Sequence, residues 1–568
     1  MWEKGWRQSI WNELGQEWDI IVIGGGITGA GVLRRAAAEG LKTLLVEASD
    51  FSFGTSSRSS KLVHGGIRYL RNKQFDVTRE SVHEREWMLR EARNLVTPLG
   101  CLMPYYQDRK IREEFALGVV LYDLMAPKWK HARYSRQRLV RECPLLESPE
   151  LGGGFLYYDA QMDDSRLVLT LIREAVRAGG IAINYAKVES LLRDSTGRVC
   201  GIGLADNAGG MPAQEIKAKV VINATGPWSD DLRSQVGAPA RLRRLRGSHL
   251  IFPRDRIPLP YDVSLLHPKD DRAMFAIPWE GTTLIGTTDL DHKFDLDAGE
   301  PFATREEIDY ILEAANSSFP AVHLGEEDII SSFAGLRPVI NTGKADPSKE
   351  SRAHVVWEED GLITVTGGKL TTFRIMAEQA LQKAAPMLRG RFDFSQRKRY
   401  FDPLPPPLSD FMLDAEEKAY LLGRYGIEAS ELLSSAREGE NQPIKSLRNL
   451  WSELRYNARC GGVVHLDDLL LRRVRLGLLL PEGGIAEMPR IRQIVQGELG
   501  WDDRTWWDEL ERYRKIYRAS YAPIPGGIPP ALTGDFTWPQ NVNAPHPGTK
   551  DERQKEPTVL YSNGAIRR

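Results

Sequence analysis

The feature that most constrains this chain is a glycine-rich turn between a short apolar run and a helical stretch near the N-terminus. Residues 19–23 read DIIVI, a run typical of a strand buried on both faces of a parallel sheet. Gly24, Gly26 and Gly29 follow at the spacing G-x-G-x-x-G. An Ala-rich helical stretch and a second predicted strand, residues 42–46, then lead to Glu47. The pattern predicts a βαβ unit.

This spacing predicts a dinucleotide site, because each glycine has its own steric task. Gly24 allows a tight turn, Gly26 lets backbone N–H groups approach a pyrophosphate, and Gly29 lets the helix pack closely on the strand. The positive end of the helix then faces the phosphates. Glu47 stands eighteen residues after Gly29, where its carboxylate can accept hydrogen bonds from ribose hydroxyls. The alternative is a glycine-rich turn in another α/β fold.

Two later segments favour FAD over NAD as the dinucleotide. Residues 220–226 predict another buried strand, which ends in Ala224, Thr225 and Gly226. Residues 362–372 predict a late strand, a Gly-Gly turn and a helix start. Folds that bind a flavin in an extended form return to it with late strands and a helix N-terminus, so distant segments would form one site.

Composition excludes several other classes of protein. The 568 residues carry 76 Lys and Arg against 77 Asp and Glu, a net charge of -1, which argues against a nucleic-acid binder. The chain has no run of about 18 apolar residues, so we expect no transmembrane helix. The four cysteines are far apart in sequence, which argues against a disulfide scaffold or a cysteine zinc site and favours a reducing compartment.

The pattern along the chain predicts five parts. Residues 1–18 form a Trp-rich leader, residues 19–400 an interleaved body, and residues 401–412 a Pro-rich linker. Residues 413–522 read as helical, with residues 466–480 as their clearest amphipathic piece, and residues 523–568 form a Pro-rich tail.

The leader has two interpretations. Its apolar residues fall at helical spacing, which predicts one amphipathic helix: Trp2, Trp6, Ile10, Leu14 and Trp18. The helix either packs on its own protein or lies at a membrane surface with tryptophan on the apolar side. The absence of a basic polar face speaks against the membrane, but the sequence leaves both open.

At this point the chain resembles the FAD-dependent glycerol-3-phosphate dehydrogenase family. The most specific stretch is SSKLVHGGIRYL at residues 59–70, because many flavoproteins share the glycine spacing alone. The other matching stretches are residues 21–31, 163–168, 223–228, 247–249, 285–289, 335–338 and 367–372. The leader and the tail depart from the family pattern, so the resemblance implies nothing about their function.

The resemblance implies an α/β chain with a Rossmann-type FAD-binding domain, a mainly antiparallel-sheet substrate domain of α+β type, and an α-helical C-terminal domain. We expect FAD segments at about residues 19–100, 155–235 and 335–395, and substrate segments at about residues 101–154 and 236–334. The resemblance also implies a reaction, the oxidation of sn-glycerol 3-phosphate to dihydroxyacetone phosphate by hydride transfer from C2 to flavin N5. The electrons would then pass to a membrane quinone.

The resemblance also assigns candidate site residues. The catalytic candidates are His64, His249, Arg337 and Lys369, with either histidine as the general base. The substrate candidates are Arg68, Tyr69, Arg337, Arg352 and Lys369. The guanidinium groups of the three arginines would bind the phosphate bidentately. The FAD candidates are Gly24, Gly26, Gly29, Glu47, Ser56, Ser57, Lys61, Leu62, His64, Gly65, Gly66, Val188, Ala224, Thr225, Gly226, Trp228, Gly368, Lys369, Leu370 and Thr371. No metal site is expected.

Rival functions stay open at this stage. The same chemistry with O₂ as acceptor would make a glycerophosphate oxidase that releases H₂O₂. Two broader rivals are an amine or 2-hydroxy-acid oxidase, and a flavin-binding interaction or RNA-modification protein. For the quinone-linked function we expect a cytoplasmic protein attached peripherally to the inner face of the cell membrane. A homodimer is one arrangement that we consider.

Overall fold

Apolar β-branched runs build the strands at the centre of this fold, as the computed structural model shows. Residues 20–23 of the first strand are at most 5% exposed, as expected for a strand covered on both faces. The structure describes residues 1–66, 75–106, 113, 118, 122, 125, 131–345, 347, 350–388, 390 and 392–527. Arg68, Tyr69 and the Pro-rich tail from residue 528 lie outside the described residues.

The strands are β1 (Trp18–Ile23), β2 (Thr43–Val46), β3 (Leu62–Val63), β4 (Val96–Tyr106), β5 (Ala132–Ser135), β6 (Leu151–Met162), β7 (Ile181–Ile183), β8 (Ala186–Arg193), β9 (Val199–Asp206), β10 (Gln214–Asn223), β11 (Leu242–Pro253), β12 (Asp262–Leu266), β13 (Ala273–Trp279), β14 (Thr282–Gly286), β15 (Leu290–Asp291), β16 (Ser331–Ile340), β17 (His354–Glu359) and β18 (Leu362–Gly367).

The helices are α1 (Trp6–Glu13), α2 (Ile27–Ala37), α3 (Phe75–Glu91), α4 (Arg136–Glu142), α5 (Asp164–Arg177), α6 (Ser229–Ser234), α7 (Arg305–Ser318), α8 (Phe373–Ala384), α9 (Ala415–Tyr425), α10 (Ala429–Ser434), α11 (Trp451–Cys460), α12 (Leu476–Leu479), α13 (Met488–Leu499) and α14 (Asp503–Ser520).

The first sheet has a parallel centre. Its strands run in the order β17-β18-β10-β1-β2-β7, and β9 joins β10 to β8. The pairs β18–β10, β10–β1, β1–β2 and β2–β7 are all parallel. Helices α2, α5 and α8 pack together beside this sheet. This is the predicted Rossmann-type arrangement.

The second sheet is mainly antiparallel. Its strands run in the order β15-β11-β14-β13-β12-β4-β6-β3, with β16 paired to β11 and β5 to β6. The exception among these pairs is β12–β4, which is parallel. Strands β4, β6 and β16 cross the expected segment boundaries at residues 100, 155 and 335. The two sheets therefore alternate along the chain, and β3 of the second sheet lies inside the first expected FAD segment.

The C-terminal region is helical, but residues 466–480, predicted as its clearest amphipathic piece, have no exposed face. Every residue of this stretch is buried, and residues Asp468–Arg473 form a π-helical turn. Its charged side chains make internal ion pairs, such as those of Arg472 and Arg473 with Asp50. Paired charges can be buried, and a sequence pattern cannot distinguish them from charges in solvent.

The N-terminal leader packs on its own protein. Its helix covers Trp6–Glu13 and is shorter than the predicted one, since Trp2 precedes it and Trp18 begins β1. Trp2, Trp11 and Trp18 are at most 4% exposed. The Trp2 ring stacks on Phe51 at 5.2 Å between ring centroids. The apolar side of the leader is thus covered by the body of the protein.

Among the described residues, no helix combines the length and the apolar character needed to cross a lipid bilayer. All four cysteines lie in the described part of the chain, and each is a free thiol.

Candidate active site

The carboxyl ends of four parallel strands meet at one edge of the first sheet. Strand β1 pairs with β10 and β2, and β10 pairs with β18, with Ile23 opposite both Asn223 and Val46. The glycine-rich turn, Glu47, the segment 224–226 and the Gly-Gly turn follow these strands directly. In open α/β sheets, ligands bind outside this edge.

The glycine-rich turn is a cradle that larger residues would fill. Gly24 has a φ of 111°, and a Cβ there would lie 2.6 Å from the carbonyl oxygen of Ala224. A Cβ on Gly29 would lie 1.9 Å from the carbonyl oxygen of Gly24. The hydroxyl of Ser56 accepts a hydrogen bond from the Ile27 N–H at 2.9 Å. Backbone N–H groups at the start of α2 therefore face this edge, where an anion is favoured.

Glu47 braces the turn from the end of β2. Its carboxylate accepts hydrogen bonds from the N–H groups of Gly25 at 2.6 Å and Ser49 at 2.8 Å. Burial raises the pKa of Glu47, and these two hydrogen bonds offset part of the shift. The side chain also lines the cavity, where its remaining lone pairs can accept from hydroxyl groups.

A cavity of about 960 Å³ extends from this edge to the second sheet. That volume is at the upper end for small-molecule sites. The predicted site residues on its wall are Gly24, Gly26, Glu47, Ser56, Leu62, His64, Gly66, Val188, Ala224, Thr225, Gly226, Trp228, Arg337, Arg352, Gly368, Lys369, Leu370 and Thr371.

Five predicted site residues lie behind this wall rather than on it. They are Gly29, Ser57, Lys61, Gly65 and His249. The Lys61 ammonium donates to the Ser57 carbonyl oxygen at 2.6 Å and pairs with Asp164 at 2.9 Å. Burial lowers the pKa of Lys61 to about 8, and Asp164 opposes the shift. Lys61 thus supports the loop that carries Ser56.

His249 reaches the cavity only through Ser60. Its Nε2 lies 2.8 Å from the Ser60 hydroxyl, and Ser60 lines the cavity. The imidazole is 1% exposed and stacks on Phe333 at 4.7 Å between centroids. Burial, with Arg337 and Lys61 nearby, lowers the pKa of His249 well below 6.5. The ring is therefore neutral at pH 7 and keeps a nitrogen lone pair, but the same burial makes it a weak base.

The loop that carries His64 is anchored by residues that sequence reasoning missed. The Gly65 N–H donates to the Tyr122 hydroxyl at 2.8 Å and to Asp159 Oδ1 at 3.1 Å. Arg85 donates to the same Asp159 oxygen at 2.7 Å. A Cβ on Gly65 would lie 2.3 Å from the Tyr122 hydroxyl. No local pattern connects these positions, because the contacts join separate strands and a helix.

The Gly-Gly turn after β18 also faces the cavity. Gly367 and Gly368 have φ values of 76° and 69°, which favour glycine. Lys369 donates from Nζ to the Ser81 hydroxyl of α3 at 2.7 Å. Thr371 and Thr372 precede α8 directly. A helix start therefore closes this side of the cavity.

Three arginines converge on one buried carboxylate in the cavity wall. Asp289 pairs with Arg352 at 2.8 Å, with Arg337 at 3.2 Å and with Arg272 at 3.5 Å. All four side chains line the cavity. Sequence reasoning identified Arg337 and Arg352 but missed Arg272 and Asp289. Asp289 ends the family-like stretch 285–289, which was the one signal available for it.

The C-terminal domain contributes to the same cavity. Asp467, Arg512 and Ile516 line it together with Glu47 and Tyr185. Arg512 pairs with Asp467 at 3.2 Å. The tertiary contacts that place these residues join segments hundreds of positions apart, so no local pattern predicts their position on the cavity wall.

The residues on the wall fit a dinucleotide. The cradle has space for a phosphate only because glycines occupy it, and α2 presents its N-terminus there. Glu47 provides acceptors for hydroxyl groups, and the cavity is large enough for a long ligand. The wall thus offers a cradle suited to a dinucleotide at the sheet edge and a cluster of guanidinium groups suited to an anion.

The match to known proteins agrees with that chemistry. The family model described as FAD dependent oxidoreductase matches residues 19–380, so the fold and site define a FAD-dependent oxidoreductase. Glycerol-3-phosphate dehydrogenase 2 of Mycobacterium tuberculosis is 37% identical over 519 residues, which cover 87% of each chain. The chain therefore belongs to the FAD-dependent glycerol-3-phosphate dehydrogenase family, and its cofactor is FAD.

Further comparisons extend this result to the C-terminal region. A second family model, the C-terminal domain of alpha-glycerophosphate oxidase, matches residues 376–506. The aerobic glycerol-3-phosphate dehydrogenase of Staphylococcus saprophyticus is 34% identical and covers 90% of this chain and 95% of its own. The predictions of family, fold class and cofactor are confirmed.

Solved structures give the same result. The glycerol-3-phosphate dehydrogenase of Bacillus halodurans, complexed with FAD, has a TM-score of 0.71 and 30% identity, and the match covers 93% of this chain and 99% of that one. The L-alpha-glycerophosphate oxidase of Mycoplasma pneumoniae has a TM-score of 0.55 at 18% identity and covers 69% of this chain and 99% of its own. That second likeness shows the fold alone.

Proposed function

We propose that this protein oxidises sn-glycerol 3-phosphate to dihydroxyacetone phosphate and passes the electrons to a membrane quinone. The observation that carries the proposal is one cavity that joins a dinucleotide cradle to a cluster of arginines. Guanidinium groups match phosphate oxygens in bidentate geometry. FAD, when bound, supplies flavin N5 as the acceptor of the hydride that leaves C2 of the substrate.

Arg337 and Arg352 would bind the phosphate of the substrate. Both reach the cavity from the side of the second sheet, where Asp289 holds them. Thr287 Oγ1 accepts a further hydrogen bond from Arg337 at 3.1 Å. These contacts fix the guanidinium groups before a substrate arrives, which reduces the entropy cost of binding. Lys369 would add positive charge near the Gly-Gly turn.

The substrate hydroxyl must lose a proton as C2 is oxidised. Ser60 is placed to accept that proton at Oγ and to donate its own to Nε2 of the neutral His249. General-base help of this kind contributes about 10²- to 10⁴-fold in rate. His64, which also lines the cavity, is the alternative base. The Asp159 contacts to Gly65 would then fix its loop.

A quinone dissolves in lipid, so the proposed acceptor requires contact with a bilayer surface. We propose peripheral association with the inner face of the cell membrane. The buried tryptophans of the leader make α1 a poor candidate for this contact, since their apolar faces already pack inside the protein.

Anaerobic titration of the purified flavoprotein with glycerol 3-phosphate tests the reaction. We expect the flavin absorbance to bleach, with dihydroxyacetone phosphate formed in equal amount, while glycerol without phosphate gives no bleaching. Persistence of the oxidised spectrum at saturating glycerol 3-phosphate would contradict the proposal.

The identity of the electron acceptor is tested in the same preparation. A water-soluble quinone analogue should reoxidise the flavin much faster than air-saturated buffer does. Release of one H₂O₂ per substrate oxidised, with little quinone reduction, would instead identify a glycerophosphate oxidase. Binding to lipid vesicles, measured by sedimentation, tests the peripheral attachment separately.

A further inference from the structure

The arginine cluster, defined here as Arg272, Arg337, Arg352 and Asp289, contains one guanidinium more than the proposed phosphate contacts use. Arg272 precedes β13 and reaches the same carboxylate as the other two. Asp289 is 4% exposed, so water screens these charges only weakly. A buried carboxylate with three cationic partners is therefore a preorganised group rather than a surface ion pair.

Two N–H groups of the cluster lack hydrogen-bond partners among the described residues. They are Nη1 of Arg352 and Nε of Arg272, and both are buried. Most buried polar groups in proteins are hydrogen-bonded, and an exception calls for a ligand or a water. Both side chains line the cavity. The cluster therefore has more N–H donors than the described residues satisfy, beside a cavity that both side chains line.

The charge of the cluster indicates what that acceptor is. Within the described residues of the cluster, three guanidinium groups and one carboxylate sum to two positive charges. A phosphate monoester carries about −1.5 to −2 charges at pH 7, with three acceptor oxygens. A carboxylate carries half that charge, and a polyol carries none. The cluster is thus matched to a phosphate monoester dianion.

We propose that Arg272 supplies a third guanidinium group to the phosphate subsite. Asp289 is the positioning residue that holds the guanidinium groups of Arg272, Arg337 and Arg352 at this subsite. The proposal rests on the proposed function and deepens it. Asp289 accepts hydrogen bonds from Arg337 at 3.2 Å and Arg352 at 2.8 Å and pairs with Arg272 at 3.5 Å, which holds the three guanidinium groups together at the cavity wall. The fork geometry of arginine makes this arrangement specific.

Arg272→Ala is the direct test. We expect KM for glycerol 3-phosphate and the inhibition constant of inorganic phosphate to rise together, each by about 10- to 100-fold. We expect kcat to change by less than about threefold, because the contact is made equally in the ground and transition states. Arg272→Lys keeps the charge without the fork and should give an intermediate value.

Arg256→Ala is the matched control, since Arg256 makes an exposed ion pair with Asp328 and is absent from the cavity wall. Its kinetics should equal those of the wild type. The proposal is overturned if Arg272→Ala, with its full content of FAD, keeps the wild-type KM and phosphate inhibition constant. A rise in KM without a rise in the phosphate constant would also overturn it.

Asp289→Asn tests the positioning role. It keeps the shape of the side chain but removes the charge that gathers the guanidinium groups. We expect weaker binding of inorganic phosphate, measured by calorimetry on the FAD-loaded protein. Tighter binding would show that Asp289 only competes with the anion and would overturn its part of the proposal.

These tests separate the inference from the proposed function. If wild-type flavin is not bleached by glycerol 3-phosphate, the proposed function fails. Phosphate calorimetry on the wild type and on Arg272→Ala still decides the inference in that case. If the wild type is bleached but Arg272→Ala binds phosphate equally well, the inference alone fails.

Discussion

At Gly247, a hydrogen atom stands where any other residue would carry a Cβ, and the Arg337 guanidinium fills that space. An added Cβ would lie 2.5 Å from both Nη1 and Nη2 of Arg337 and 2.6 Å from Thr287 Oγ1. The obstructing atoms are the ends of side chains, so the backbone need not move. The glycine that begins the stretch 247–249 is thus explained by the position of one distant arginine.

Gly247→Ala should move the Arg337 guanidinium out of place while the fold is kept. We expect KM for glycerol 3-phosphate to rise by about tenfold, the effect of about 1.4 kcal/mol of lost binding. FAD content should be unchanged. Gly497→Ala is the control, because an added Cβ in α13 meets nothing within 4 Å. A wild-type KM in Gly247→Ala would show that Arg337 does not act from this position.

His249 should make stability depend on pH. In the unfolded chain a histidine titrates near 6.5, whereas burial lowers the pKa of folded His249 well below that value. The unfolded state therefore binds more protons below about pH 6.5, and stability falls as the pH falls through this window. The stabilisation is fully present above pH 6.5. His249→Gln should flatten the urea-unfolding profile between pH 4 and 7.

The same variant should lower kcat, because Ser60 would lose its proton acceptor. His323→Asn is the control, since His323 is exposed, and it should keep both the pH profile and kcat. An unaltered kcat in His249→Gln would favour His64 as the base.

At the scale of elements, residues 466–480 fasten the helical domain to the FAD-binding domain. Arg473 binds both oxygens of Asp50 at 2.7 Å, and Arg472 binds one of them at 2.5 Å. Arg475 donates to Asp163 at 3.2 Å. Asp50 follows β2 closely, so the contact is made directly behind the edge that carries Glu47.

Arg473→Ala should loosen this contact. Removal of one partner from a buried ion pair costs about 3–5 kcal/mol, so we expect a clear fall in the thermal unfolding midpoint and faster proteolysis within residues 401–412. Arg514→Ala removes a partly exposed pair with Glu511 and should cost no more than about 1 kcal/mol. If the unfolding midpoint fell equally in the two variants, Arg473 would not hold the helical domain to the FAD-binding domain.

Some of these elements could be predicted from the sequence and others could not. Strand β1, the glycine turn and Glu47 could be predicted because their signals are local and their steric reasons are fixed. The burial of residues 466–480 could not, since Asp50, Asp163 and Asp164, which pair with its arginines, lie 311 to 423 positions away. The leader was ambiguous for the same reason, because the Phe51 ring that covers Trp2 belongs to another segment.

Across the entire chain, the family-like stretches predicted most of the residues on the cavity wall. They did not reveal Arg272, which adjoins no recognised stretch and acquires its meaning only beside Asp289. They also did not separate wall residues from those behind the wall. Lys61 and His249 lie in or next to specific motifs, yet both act through a neighbouring serine or loop.

The alternation of the two sheets along the chain has a consequence for biosynthesis. The cofactor cavity has Gly24 at one end of the sequence and Ile516 near the other. A ribosome must therefore release almost the entire polypeptide before the cavity is enclosed, and the flavin is acquired after translation rather than during it. A prematurely terminated chain that lacks α14 would emerge colourless, even though its glycine turn is intact.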